Sequence, residues 1–222
     1  MRAPIRIALA AAVAIGVVTL PVTSAQAKPR TASFTAEVWA DNWFALYVNG
    51  RKVGEDSIPI TTERSFNAET ITFTATYPLV IGIMGRDFTE NASGLEYIGT
   101  PKQQIGDAGL IAQIRDNTSG KIIAATGASW KVLVLNTAPL NPSCVTSSNP
   151  LVDCTSSTIA TPRKWSTTNW SPKGWSPATV YTPQEVGVKE GYNTISWDPS
   201  AKLVWGPDLK LDNAVLLRTT AK

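Results

Sequence analysis

Thr70-Ile71-Thr72-Phe73-Thr74-Ala75-Thr76-Tyr77 is the stretch that decides the fold. Ile71, Phe73, Ala75 and Tyr77 alternate with four threonines, and a period of two puts every second side chain on one face of a strand. The β-branched threonines suit a solvated, pleated face, while the apolar set needs a core to cover it. Phe34, Ala36, Val38 and Ala40 repeat the pattern against Ser33, Thr35, Glu37 and Trp39. A third strand over residues 43–48 runs into Asn49-Gly50, a pair that tolerates positive φ and predicts a tight type I′ hairpin returning through Arg51-Lys52-Val53.

Working outward, residues 109–115 and 121–126 form a second hairpin around Asp116-Asn117-Thr118-Ser119-Gly120, and further strands are expected at 79–84, 129–135, 193–197, 202–205 and 213–219. No segment carries a helical stripe of useful length. Many short strands with turn signals between them predict an all-β sandwich or barrel. Two irregular stretches, 85–107 and 136–191, are long enough to be functional loops. The second holds Pro139, Pro142, Pro150, Pro162, Pro172, Pro177 and Pro183, which interrupt ladder hydrogen bonding. The tryptophans embedded in it predict that it packs on the sandwich.

The N-terminus reads Met1-Arg2-Ala3-Pro4-Ile5-Arg6, then an apolar and small-residue run over 7–20, then Ala25-Gln26-Ala27. That order predicts a signal peptide over 1–27, cleaved before Lys28, and a mature domain over 28–222 outside the cytoplasm. The apolar run is shorter than the roughly 20 residues a bilayer span needs, and no cysteine stands at the cleavage site for lipid attachment. No membrane span is expected. Removing Arg2 and Arg6 takes Lys plus Arg from 20 to 18 against 17 Asp plus Glu. Basic residues come only in pairs such as Arg51-Lys52, so the clustered basic face that nucleic acid requires is missing. Cys144 and Cys154 lie close together in a Ser/Asn/Pro-rich segment, which in an exported chain predicts a disulfide.

Residues 40–54, Ala-Asp-Asn-Trp-Phe-Ala-Leu-Tyr-Val-Asn-Gly-Arg-Lys-Val-Gly, resemble the galactose-binding-like jelly-roll domains that accompany bacterial glycoside hydrolases, including the non-catalytic domains of α-rhamnosidases. Gly109-Leu110-Ile111-Ala112-Gln113-Ile114, followed by Ser129-Trp130-Lys131, is similar to a second segment of those domains. Residues 170–175, with Ala178 beyond, stand where those domains carry an acidic pair before a tryptophan, and Ser171-Pro172 replaces the acids here. The matches follow the family's order along nearly the whole mature chain. The resemblance implies a two-sheet jelly-roll β-sandwich of a kind that often binds carbohydrate. Fold alone does not fix function, and some such domains only pack or space others.

The chain has no histidine, which removes Ser-His and Cys-His nucleophilic machinery and the commonest zinc sites. Asp87, Glu90, Glu96 and Asp107 share one loop, either as a carboxylate pair acting on a glycoside or as solvated acids with turn roles. Among the eight tryptophans, Trp165, Trp170 and Trp175 recur every five residues. Their rings either stack on sugar faces or cap the open end of the sandwich, with Trp175 structural by its family position. Trp43 and Trp39 share that ambiguity, whereas Trp130, Trp197 and Trp205 sit in apolar strands and read as core. Asp41-Asn42 stands where some related sandwiches hold calcium against a sugar, and the alternative is an Asx turn or a β-bulge.

These residues favour a secreted, non-catalytic module binding carbohydrate or a cell-envelope polysaccharide through Asp41, Asn42, Trp43, Trp165 and Trp170, with calcium the one cofactor considered. The alternatives are a structural or protein-interaction domain of the cell surface and a two-carboxylate hydrolase.

Overall fold

The computed structural model describes residues 30–61 and 65–222; the expected leader over 1–27 lies outside the described residues. The strands in chain order are β1 (Thr31–Asp41), β2 (Trp43–Val48), β3 (Arg51–Glu55), β4 (Ala68–Thr76), β5 (Leu79–Arg86), β6 (Leu95–Glu96), β7 (Gln104–Ile105), β8 (Gly109–Asp116), β9 (Ile122–Ala125) and β10 (Lys131–Thr137). They continue with β11 (Ser157–Thr158), β12 (Ser176–Pro177), β13 (Thr179–Tyr181), β14 (Leu203–Trp205) and β15 (Asp212–Ala221). The helices α1 (Pro150–Asp153) and α2 (Pro183–Val186) are single turns.

The expected all-β, two-sheet sandwich is what forms. One sheet runs β13-β14-β8-β1-β4, with β9 also on β8; the other runs β11-β10-β15-β5-β2-β3, with β12 also on β10. All pairings in both sheets are antiparallel. The alternation in β1 and β4 does what it predicted: Phe34, Ala36, Val38, Ala40 and Phe73 enter the core, where they meet Phe44 and Leu46 of β2, Ile81 and Ile83 of β5 and Leu217 of β15. Phe34 stacks on Phe73 with ring centroids 5.5 Å apart, directly across the β1–β4 ladder. At the tip of β2, Asn49 and Gly50 take φ of 51° and 85°, as a type I′ turn requires.

The long second stretch packs on the sandwich through its tryptophans, as expected, but it is tied down by short elements and covers the outer faces of both sheets. On the first sheet, Val186, Ala201, Tyr192 and Trp197 pack over Trp39, Ile111 and Leu203. The Trp39 Nε1–H donates to the carbonyls of Phe66 (2.9 Å) and Glu190 (3.0 Å), which pins two loops to that face. The strand expected at 193–197 is instead a 3₁₀ turn over Tyr192–Thr194. Its apolar residues serve ring packing of Tyr192 on Trp39 and Trp197 rather than a ladder. Trp130 and Trp205 are buried in the core as expected, while Trp197 is half-buried in this cover.

Cys144 and Cys154 form the expected disulfide, with Cα atoms 5.4 Å apart. The bridge packs against Leu95, Ile98 and Ile105, so it joins the small β6–β7 ladder to the loop that carries α1. Among the described residues, no helix is long and apolar enough to cross a membrane.

Candidate functional site

The strand registers gather chemistry at one end of the sandwich. Asp41 of β1 lies opposite Gly109 of β8; Trp43 of β2 and Ala214 of β15 flank Arg86 of β5; Thr137 of β10 pairs with Asp212 of β15. The linkers leaving these ends carry Asn42, Asp87 and Asp107.

Asp41 is fully buried and Lys189, reaching in from the loop after α2, sets its Nζ 2.9 Å from Asp41 Oδ2 and 3.1 Å from Asp107 Oδ1. Burial pushes the Asp41 carboxyl up to about 7; the Lys189 charge opposes this and Asp107 adds to it. Burial works to lower Lys189, but the adjoining Asp41 and Asp107 carboxylates outweigh it and raise it. Asp87 is held well above the ordinary carboxylate range by burial first, then by Glu96, Asp41 and Asp107. Among the described residues neither Asp87 oxygen has a hydrogen-bond partner, so nothing offsets the cost of burying the charged form. Glu96 is buried too and accepts from Gln104 Nε2 at 3.0 Å.

This arrangement corrects two of the expected ligand contacts. The Asp41 carboxylate is inside the protein and already faces an ammonium. Asn42 is buried as well, and its Oδ1 accepts the Phe88 backbone N–H at 2.6 Å. Both side chains hold the end of the sandwich together and are out of reach of a ligand in solvent. They do not fit calcium: the cation beside Asp41 is Lys189, Asn42 is committed to the backbone, and among the described residues no group of three or more acidic or thiol side chains is arranged to hold a metal ion. Of the 85–107 loop acids, Glu96 and Asp107 lie near enough to act electrostatically on Asp87, and the Lys189 ammonium bridges Asp107 to Asp41 of β1.

The tryptophan trio is also placed differently from the expected ligand surface or end cap. Trp165 and Trp175 are buried against the outer face of the second sheet, on Leu133, Leu135, Met84, Tyr47 and Leu216. Trp165 is 5% exposed and has no open ring face for a sugar. Trp170 is half-buried, edge-on to Trp175 with centroids 5.3 Å apart and beneath the Arg218 guanidinium. Arg218, itself buried in β15, donates to the carbonyls of Trp165, Thr167 and Trp170 and so staples the loop to the sheet. Gly82 of β5 makes room for the ring, since a Cβ there would lie 2.5 Å from the Trp165 six-membered ring.

That cover stops short of the strand ends, and a cleft of about 560 Å³ opens there. Its floor is Met84, Leu135 and Ala214; its walls carry Arg86, Thr89, Asn91, Asn136, Thr158, Thr161 and Asn213, with Ile159 at the rim, 46% exposed. Asn213 donates through Nδ2 to Asn136 Oδ1 (3.1 Å) and the Ala138 carbonyl (2.9 Å), which leaves its buried Oδ1 unpartnered. Trp43 stands on the same outer face, cross-strand from Arg86 and half-buried, and its indole N–H has no hydrogen-bond partner among the described residues. None of the five expected ligand residues lines this cleft; Trp43 is linked to it only as the cross-strand partner of Arg86.

Arg86, Asn136 and Asn213 were not singled out in the sequence. One signal was there: β5 reads Leu79-Val80-Ile81-Gly82-Ile83-Met84-Gly85-Arg86, apolar on both faces until Arg86. A run apolar on both faces marks a strand covered on both sides, and the arginine marks where the cover ends.

No family model, curated protein or solved structure matches this chain. What the fold and site define is a two-sheet antiparallel β-sandwich with a polar cleft at one end of its seven-stranded sheet.

Proposed function

We propose that this protein is an exported, non-catalytic binding module that takes carbohydrate in the cleft bounded by Asn136, Thr158 and Arg86. The observation that carries the reading is the cleft itself: accessible amide and hydroxyl side chains, Asn136, Thr158 and Thr161 among them, over an apolar floor. Polyhydroxylated ligands need this mixture, because amides and hydroxyls exchange hydrogen bonds with sugar hydroxyls while an indole face or aliphatic floor takes the ring's C–H face. Export is supported by the leader-like N-terminus and by the Cys144–Cys154 disulfide. The resemblance to galactose-binding-like domains points the same way.

The test is a titration of the purified protein with soluble polysaccharides and cell-wall fractions, followed by tryptophan fluorescence and calorimetry. Saturable binding that N136A and T158A weaken by about tenfold, with the fold intact, is the expected result. A panel without any saturable binding rejects carbohydrate as the ligand.

A surface protein-interaction domain is the second reading, favoured by one observation. Leu151 and Val152 are exposed on the disulfide-closed loop, Val152 by 72%, and Leu140 is exposed just before it. In that case L151S/V152S abolishes capture of an envelope protein, and excess sugar has no effect on it.

A further inference from the structure

We infer that the ligand of this cleft is anionic: a glycan bearing carboxylate or phosphate groups, gripped by Arg86. The inference rests on the carbohydrate reading above and names the ligand class of the same site. Arg86 stands at the junction of two clefts, the one of about 560 Å³ over the sheet and a second of about 420 Å³ walled by Ile60, Thr61, Phe88 and Glu90. Asp87 and Thr89 line both. A ligand running from one cleft to the other passes the guanidinium.

Three facts make that guanidinium a receptor for an anion. First, Arg86 is exposed, and its side chain has neither a hydrogen bond nor an ion pair among the described residues, so its fork of N–H donors is unused. Second, neither acid that lines the clefts pairs with it. Asp87 is buried among other carboxylates, which favours its neutral form, and Glu90, which lines only the second cleft, turns its Oε1 to the Ile98 backbone N–H at 2.7 Å. Third, the remaining polar wall consists of neutral amides and hydroxyls. Over the sheet, one unpaired cation among neutral amides and hydroxyls suits a sugar with one acidic substituent per repeat. Planar, bidentate donation from arginine discriminates carboxylate and phosphate from hydroxyl. Denser polyanions such as nucleic acids would need further cations, and among the described residues Arg86 is the one basic side chain lining these clefts.

The experiment compares polygalacturonate with its fully methyl-esterified form, which keeps the backbone and loses the charge. Alginate and hyaluronan extend the carboxylate arm, a glycerol-phosphate wall polymer supplies the phosphate arm, and xylan, mannan and β-glucan form the neutral arm. The expected result is binding to at least one acidic polymer about tenfold or more tighter than to any neutral or esterified one. R86Q should remove that preference, R86K should restore part of it, and added salt should weaken only the acidic arm. Whichever acidic arm binds identifies the group. Neutral glycans bound as well as acidic ones, or an acidic preference that survives R86Q, overturns the inference and leaves the carbohydrate reading standing. No binding in any arm rejects both. Because Arg86 is exposed, thermal unfolding of R86Q should match the parent, and a shifted transition would be controlled for by R86K.

Discussion

Lys189 and Asp41, 148 positions apart, meet at 2.9 Å inside the end of the sandwich, and this ion pair fastens the loop after α2 to the last residue of β1. Its partner count is lopsided: one ammonium serves Asp41 and Asp107, with Asp87 and Glu96 close enough for their charges to be felt. K189M removes that cation and strands the Asp41 carboxylate. It should destabilise the protein by about 2–3 kcal/mol near pH 8, less than for a fully buried pair because the lysine is partly in water. Near pH 5 the cost should shrink, because Asp41 then protonates and needs no counter-charge. Urea unfolding at the two pH values measures both.

Raised carboxyls should make the fold acid-tolerant. In this cluster Asp41 is raised to about 7 and Asp87 well above its ordinary range, and Asp56, outside it, to about 6, each first by burial. A carboxyl whose folded-state pKa exceeds the unfolded one, about 3.9, stabilises the fold fully below that value and loses the contribution as pH rises through the folded pKa. At the opposite end, Asp116 behaves the other way. Burial would raise it, but hydrogen bonds from Tyr77, the Ser119 and Thr118 N–H groups and Arg30 prevail and hold it at about 2, so its contribution is lost as pH falls from about 4 through 2. The urea midpoint should therefore peak on the acid side, near pH 4 to 5, and decline toward pH 8. D87N, which replaces a carboxyl whose charged form burial disfavours by a neutral isostere, should flatten the alkaline decline. An unchanged slope would show that Asp87 is not the group responsible.

The packing of Gly82 against Trp165 predicts a coupled pair. G82A pushes a methyl into the indole and should cost about 1–3 kcal/mol, and W165A empties the site at about 3–5 kcal/mol. In the W165A background, G82A should cost far less, giving a coupling energy of at least about 1 kcal/mol in a double-mutant cycle by chemical unfolding. Additive effects would mean that the loop does not sit on β5 in solution.

Reduction of Cys144–Cys154, or C144S/C154S, reopens a loop with a sequence separation of 10. Loop entropy sets the expected loss at about 3 kcal/mol. Because the bridge packs on Leu95 and Ile105, hydrogen exchange should accelerate at β6 and β7 first and leave β5 and β15 protected.

The strands were legible wherever one face is wet. The Ile71–Tyr77 alternation, the 43–48 strand and the Asn49-Gly50 turn all read correctly, because local φ/ψ preference and a two-residue period need nothing from the rest of the chain. Residues 193–197 misled for the converse reason: their apolar content is explained by Tyr192 and Trp197 packing on Trp39 of β1, more than 150 residues away. The candidate site was hardly visible. Trp43, the cross-strand partner of Arg86, could be named, whereas Asp41, Asn42 and Trp165 looked like ligand groups and are interior ones.

By itself, then, the amino-acid order determined that alternating rows of side chains would make two antiparallel sheets, that Cys144 could close onto Cys154, and that no histidine chemistry was on offer. Only the folded chain decided which outer surfaces stay open. The 136–201 segment lies over both sheets and buries Trp39, Trp165 and Trp175, and it leaves uncovered the strand end where Arg86 stands. Exposure is set by whatever distant segment happens to desolvate a surface, and that is a property of packing rather than of any residue's neighbours in sequence.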